Sequence, residues 1–254
     1  MKILSFAIAI MLMALLPIPR ASADITYAEN FETRAPLSAT ALSGAGWKIG
    51  NIIIAGGSGA WFGPGNEAPN CGATGSSLNG YSALVETEGG PSQGNVQLSV
   101  FSDYNSWSPF SLTGAQTVDT FVYLDLGTIT ADMSGKTYGF GFDTKEGNIS
   151  GVPASEAYAY INVLKSSNSS YATLFNSELT TKNGTTWNSN LITITVDSSM
   201  VGELLQIGFR NRTTEWAPSG VYYDNLNFSA VPEPSSTCLL GLGALITLVR
   251  RRRV

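Results

Sequence analysis

The 254-residue chain contains no histidine and only two cysteines. Without imidazole there is no Ser-His-Asp or Cys-His nucleophile system and no His-ligated zinc. A hydrolase built from this chain would have to work with carboxylates alone. Cys238 lies in an apolar C-terminal run, which leaves Cys71 alone in the rest of the chain, within the Gly/Pro-rich stretch 63–75. An internal disulfide is therefore excluded, and stability has to come from the core or from a metal. Basic residues are scarce as well. Lys2, Arg20 and Arg250 to Arg253 sit in the terminal segments, so residues 24–230 hold eight basic and eighteen acidic side chains, a net charge of −10. Such a body repels phosphates, which argues against nucleic acid as a partner and suits an exported protein or one that binds cations. No glycine-rich phosphate-binding pattern has the right flanks. No stretch offers an amphipathic helix longer than two turns.

What is present begins at the two ends. Lys2, the apolar run Ile3 to Leu16 and Ala21-Ser22-Ala23 have the order of a secretory signal peptide, with cleavage expected before Asp24. The alternative is an uncleaved anchor, but the run is short for a spanning helix and Pro17, Pro19 and Arg20 interrupt it. At the other end come Val231-Pro232-Glu233-Pro234-Ser235-Ser236, the apolar run Thr237 to Val249, and Arg250, Arg251, Arg252 and Arg253. The prolines cannot continue a sheet or helix, the apolar run seeks lipid, and the arginines stay on the cytoplasmic side. Thirteen residues of helix cover about 20 Å against a hydrocarbon core of about 30 Å, which suits a temporary tether better than a permanent anchor.

This order of parts resembles the PEP-CTERM sorting signal of Gram-negative bacteria. The resemblance implies that an exosortase reads and cuts the tail. It implies export, a transient inner-membrane tether through a short C-terminal hydrophobic helix, and a final place at the cell surface or in the extracellular matrix. The chain then divides into a signal peptide (1–23), one body (24–230) and a sorting signal (231–254). A plain C-terminal membrane anchor is the simpler alternative.

The body alternates apolar and polar residues at period two and breaks often at Gly, Asn, Ser and Pro, which is a strand rhythm. Expected strands are 25–32, 47–54, 81–87, 95–104, 117–127, 137–144, 157–166, 171–175, 191–197, 204–211 and 221–229, with the glycine-rich 55–79 as a long loop. Strands at this density predict an all-β antiparallel sandwich or jelly roll with its first and last strands close together.

The alternation can be read face by face. Val118, Thr120, Val122, Leu124 and Leu126 suit a core, which puts Asp119, Phe121, Tyr123 and Asp125 on the other face. Ala157, Ala159, Ile161 and Val163 likewise leave Tyr158, Tyr160 and Asn162 opposite. Aromatic rings stack on the flat C–H faces of sugars, and Asp and Asn bind hydroxyls. Tyr123, Asp125, Tyr158, Tyr160 and Asn162 are therefore candidate polysaccharide-binding residues. The same residues could instead be cross-strand pairs on a half-exposed sheet. Trp61 and Trp107, in Gly/Pro/Ser-rich surroundings, are the tryptophans best placed to be exposed.

Glu29-Asn30-Phe31-Glu32 followed by Trp47, and the closing Val221-Tyr222-Tyr223-Asp224-Asn225-Leu226, resemble the first and last strands of jelly-roll carbohydrate-binding modules. In those modules an early Glu and the closing Asp bind a structural calcium, which by resemblance falls to Glu32 and Asp224. Period two independently places Asp224 with Tyr222, Leu226 and Phe228 on the apolar face, where a carboxylate needs a partner. That partner could be a hard cation. It could also be backbone N–H groups, Arg210 or Arg212. The acid pairs Glu86/Glu88 and Asp143/Glu146 read as exposed turns, not as catalytic carboxylates facing a cleft. The expected function is non-catalytic polysaccharide binding at the cell surface. The alternatives are a purely structural envelope or biofilm component, or a carboxylate-dependent glycan hydrolase or lyase.

Overall fold

The computed structural model describes residues 24–38, 40–55, 59–64, 66–67, 80–102, 117–147, 149, 155–166, 172–213 and 219–232. The signal peptide, Cys71, Trp107, Trp216 and the tail from Glu233 onward, including Pro234 and the four arginines, lie outside the described residues, as does the Trp61 side chain. Among the described residues no helix is long and apolar enough to cross a membrane.

The strands are β1 (Tyr27–Glu29), β2 (Lys48–Ala55), β3 (Gly59–Pro64), β4 (Asn66–Glu67), β5 (Gly80–Glu86), β6 (Val96–Phe101) and β7 (Thr117–Thr128), followed by β8 (Thr137–Glu146), β9 (Glu156–Leu164), β10 (Thr173–Thr180), β11 (Asn188–Thr195), β12 (Leu204–Thr213) and β13 (Gly220–Ala230). They form a sandwich. One sheet is six-stranded, in the order β10-β9-β12-β7-β2-β3. The other is seven-stranded, in the order β11-β8-β13-β6-β5-β4, with β1 also on β13. All neighbours are antiparallel except β4 with β5. The first strand pairs with the last, Tyr27 opposite Phe228.

All eleven expected strands are present. The expected loop 55–79 is corrected, because β3 and β4 lie inside it. Glycine lowers strand propensity, but β3 is an edge strand paired antiparallel with β2, and its proline sits at its end, where a missing N–H is tolerated.

Each inner face supplies the core through alternate positions. Phe209 of β12 stacks on Tyr223 of β13 with ring centroids 3.9 Å apart and meets Phe140 and Phe142 of β8 at 5.7 Å. Trp47 also stacks on Phe209, with centroids 6.2 Å apart, and donates its indole N–H to the Tyr27 hydroxyl at 2.9 Å. Trp47 is thus a core residue. The buried aliphatics Val118, Val122, Ala157, Ala159, Ile161 and Val163 occupy the inward positions that the alternation assigned them.

One irregularity changes the reading of the last strand. Val221 and Tyr223 face the core at one parity, and Leu226 and Phe228 at the other. A β-bulge between Asp224 and Asn227 makes the switch, with Asn225 in the left-handed region at φ 51°. Asp224 therefore does not share a face with Leu226 and Phe228. It lies on the outer side of the seven-stranded sheet, directly opposite Asp143 of β8.

Candidate functional site

The outer face of the six-stranded sheet is an ordered polar and aromatic surface. Cross-strand register sets its rows. Asp125, Gln206, Asn162 and Asn176 lie in line across β7, β12, β9 and β10. Beside them run Lys48, Tyr123, Gly208, Tyr160 and Glu178, and then Phe121, Arg210 and Tyr158. The first row is a hydrogen-bonded ladder. Lys48 Nζ reaches Asp125 at 2.6 Å, Gln206 Nε2 donates to Asp125 at 2.9 Å, Asn162 Nδ2 to Gln206 at 3.5 Å, and Asn176 Nδ2 to Asn162 at 2.8 Å. These are planar amide and carboxylate groups spaced by the sheet at about 4.8 Å per strand.

The face brings together all five residues that the sequence assigned to it, in different states. Tyr123, Asp125, Tyr158 and Asn162 are half-buried, with solvent access. Tyr160 is 3 % exposed and cannot act as an open platform, a correction to its expected role. Its partner across β12 is Gly208, and a Cβ there would lie 2.6 Å from the Tyr160 hydroxyl oxygen. The ring fills the space that glycine leaves and covers the sheet. Burial pushes the Tyr160 hydroxyl far above its ordinary pKa and raises that of Tyr123 less, with Lys48 acting the other way there.

Sequence reasoning missed Gln206, Asn176 and Arg210. Only the pairing of β9 and β12 with β10 and β7 puts them in these rows. Arg212 grips Asp119 with two bonds of 2.6 Å. Neither arginine is near Asp224, which is on the other sheet, so that alternative partner for the buried aspartate is corrected.

A second constellation surrounds the bulge. β13 pairs with β6 through residues 220–223 and with β1 through 226–228, so the bulge sits where one neighbour gives way to the other. Glu32 fills the gap, accepting the N–H groups of Asn95 and Val96 at 2.8 Å each. A Cβ on Gly94, at φ 58°, would collide with this carboxylate. Asn225 donates to Asp143 at 2.8 Å and to the Ser92 carbonyl at 2.9 Å. Asp143 also accepts from Gln93 at 2.7 Å and Ser189 at 2.6 Å. Asp143 is thus a buried strand residue, not part of an exposed turn. Burial pushes its pKa up, but the bonds from Asn225, Ser189 and Gln93 outweigh this and hold it below the ordinary carboxylate value.

Asp224 is in the opposite situation. It is fully buried, its Oδ1 accepts the Asn225 N–H at 2.6 Å, and its Oδ2 has no hydrogen-bond partner. The Gln97 side chain beside it gives its N–H to the Gln93 carbonyl, and Gln97 Oε1 is buried without a donor too. Burial raises the Asp224 pKa to about 7, with Glu32 and Asp143 adding repulsion and the Asn225 N–H and the Gln97 side chain acting the other way. Orphaned buried acceptor oxygens beside a second carboxylate are what a hard cation would satisfy. Among the described residues, however, no three acidic or cysteine side chains converge on one point. Glu29 is engaged elsewhere, with Phe31 N–H and Arg34.

Glu88 is bonded to Lys145 at 2.9 Å, and its carbonyl accepts the Trp187 indole N–H at 3.1 Å. A shallow hollow nearby, lined by Glu86, Thr87, Gly89, Gly90, Gly94 and Asn95, offers no aromatic surface.

Comparison with known proteins adds the following. Residues 230–253 match the PEP-CTERM protein-sorting motif. No curated protein matches the sequence. Among solved structures, a cyclase from Fischerella sp. TAU is similar at 12 % identity and TM-score 0.46, over 83 % of this chain and 100 % of the other. A carbohydrate-binding module of the β-sandwich superfamily is similar at 16 % identity and TM-score 0.41, over 82 % and 63 %. The enzymatically active domain of bacteriophage CBA120 tailspike protein 4 is similar at 9 % identity and TM-score 0.43, over 74 % of this chain and 20 % of the other. As named, these neighbours do not agree on an activity.

Proposed function

We propose that this chain is an exported cell-surface protein whose body binds polysaccharide, without cutting it, on the outer face of its six-stranded sheet. The observation that carries the reading is the ladder Lys48–Asp125–Gln206–Asn162–Asn176 running beside half-exposed Phe121, Tyr123 and Tyr158. Amides held in a row by one another keep their remaining donors and acceptors toward solvent, at a spacing fixed by the sheet. The adjacent rings supply apolar faces for sugar C–H groups. A binding role is supported by two carboxylates of this face, since Asp119 is clamped by Arg212 and Asp125 by Lys48 and Gln206, which leaves Glu178 and Glu156, 3.7 and 3.9 Å from the nearest arginine nitrogen, as its looser acids.

The tail fits processing by an exosortase after transient tethering in the inner membrane of a Gram-negative bacterium, followed by release to the surface or matrix. Many copies on one surface would then turn weak single sites into avid binding. We also propose that Glu32 and Asp224 hold a structural calcium, with the orphaned Asp224 Oδ2 as the supporting observation.

Affinity electrophoresis of the full chain in detergent against a polysaccharide panel tests the main reading. Tyr123→Ala and Tyr158→Ala should each weaken retention several-fold, since a stacked ring is worth roughly 0.5–1.5 kcal/mol. Retention of no polysaccharide, or no loss in either variant, would replace this reading with that of a purely structural envelope component.

A further inference from the structure

The charged side chains on the candidate face differ in one respect. Arg212 is clamped by a bidentate bond, with Nε and Nη2 each 2.6 Å from an oxygen of Asp119, and its Nη1 lies 3.9 Å from Glu156. Lys48 closes on Asp125 at 2.6 Å. Arg210, two residues before Arg212 on the same face of β12, donates no hydrogen bond among the described residues. Its nearest carboxylate oxygen, Glu178 Oε1, stops 3.7 Å from Nη1, and its Nε is buried without a partner. Glu178 Oε1 meanwhile accepts from Asn176 at 3.4 Å.

A guanidinium carries five N–H donors, and leaving a buried one unmet is costly. Arg210 is nevertheless well held. Its guanidinium carbon lies 4.5 Å from the centroid of the Tyr158 ring, and its side chain is only 19 % exposed. Stacking fixes the plane of the group before any ligand arrives, so little rotamer freedom remains to be lost. A fixed guanidinium edge is matched by two oxygens on one atom, the geometry of a carboxylate. A neutral sugar hydroxyl offers one oxygen and no charge.

From this we infer that the ligand of this face is an acidic polysaccharide, and that Arg210 recognises its uronate carboxylate, which takes the place Glu178 only half occupies. The inference rests on the polysaccharide-binding reading above and narrows it to a class of polymer. The acidity of the body does not oppose it strongly. At physiological ionic strength charges beyond about 8 Å are largely screened, whereas a contact with a mostly buried guanidinium is screened much less. Glu178 is the built-in competitor, so removing its charge should help the ligand.

The test uses the full chain in detergent with alginate and polygalacturonate, each beside its carboxyl-reduced counterpart, and a panel of neutral glucans and galactans. Retention of at least one polyuronate should fall about tenfold on carboxyl reduction. Arg210→Gln should lose a similar factor, Arg210→Lys less, and Glu178→Gln should bind several-fold more tightly than wild type. Circular dichroism and thermal melting report whether the Arg210 variants fold. Should Arg210→Gln fail to fold, carboxyl reduction and Glu178→Gln still decide. Equal binding of native and reduced polymers, or binding confined to the neutral panel, overturns the acidic assignment and leaves polysaccharide binding in place. Binding to nothing in either panel overturns both.

Discussion

Single residues on the candidate face do different work from what their types advertise. Tyr160 has the composition of a sugar platform but is a buried plug over Gly208. Tyr160→Ala should therefore destabilise the fold by roughly 3 kcal/mol, as large-to-small changes at buried aromatic sites do, while Tyr123→Ala should cost much less. Gly208→Ala should also destabilise, because the new Cβ meets the Tyr160 ring at 2.7 Å. Urea denaturation of the variants gives the ranking, and a silent Tyr160→Ala would show that the ring is not packed as described. Asp224 supplies a pH dependence. Its folded pKa is about 7 against an ordinary 3.8, so between those values the folded state holds a proton that the unfolded state has lost. Its contribution to stability is complete below about pH 4 and is lost as pH rises toward 7. In chelator, Asp224→Asn should flatten that decline and stabilise the protein at neutral pH by about 1–3 kcal/mol, the cost of an unsatisfied buried group. Stability curves for the two proteins that run parallel from pH 4 to 7 would refute this.

At the scale of elements, the β13 bulge organises one side of the molecule. It flips the parity of the last strand, turns Asp224 outward against Asp143, and leaves a break in pairing that Glu32 closes at the head of β6. If Glu32 and Asp224 hold calcium, the ion bridges the first segment of the body to its last strand and should stabilise the folded state by mass action. Calcium should raise the melting temperature and EDTA should lower it at fixed ionic strength, with Asp224→Ala removing the difference. Superimposable melting curves of wild type with and without EDTA would dismiss the site. The alternation in β7 and β9 was legible because those strands are regular. The bulge was not, since no local signal separates Asp224-Asn225 from an ordinary polar pair in a strand. Asn225 tolerates the left-handed conformation, but tolerance does not reveal that the fold demands it.

Over the whole molecule, the first and last described residues of the body lie at one place. Asp24 accepts from Lys136 Nζ at 2.8 Å and from the Tyr138 hydroxyl at 2.9 Å, while the Val231 N–H donates to the neighbouring Thr137 carbonyl at 2.8 Å. Asp24, before which cleavage is expected, and the start of the sorting motif therefore adjoin the same end of the sandwich. Between Pro232 and the apolar run lie residues 233–236, which span at most about 14 Å when extended. If the tail inserts into a bilayer, that end of the body should sit close to it. A fluorophore on a cysteine at Thr137 should be quenched by headgroup quenchers in the tethered form, and one at the far end, on Lys182, should not. Equal quenching at both positions would contradict this orientation. Mass spectrometry of protein from the host surface should find a chain that starts at Asp24 and lacks the arginines. A chain ending at Val254 would argue against processing.

The sequence by itself determined what depends on local order and composition: the sorting motif at the C-terminal end, the strand rhythm, the faces of regular strands such as β7 and β9, and the exclusion of histidine-based chemistry. Tertiary structure decided what depends on which strands become neighbours. Arg210 and Asn176 belong to the candidate face only because β12 lies between β7 and β9, and β10 beside β9. Tyr160 is covered only because a glycine stands across from it. Asp143 and Asp224 became opposing carboxylates only through the pairing of β8 with β13. Period two tells which way a side chain points. Its partner, its burial and its charge state come from residues tens of positions away, and those are fixed when the sheets assemble.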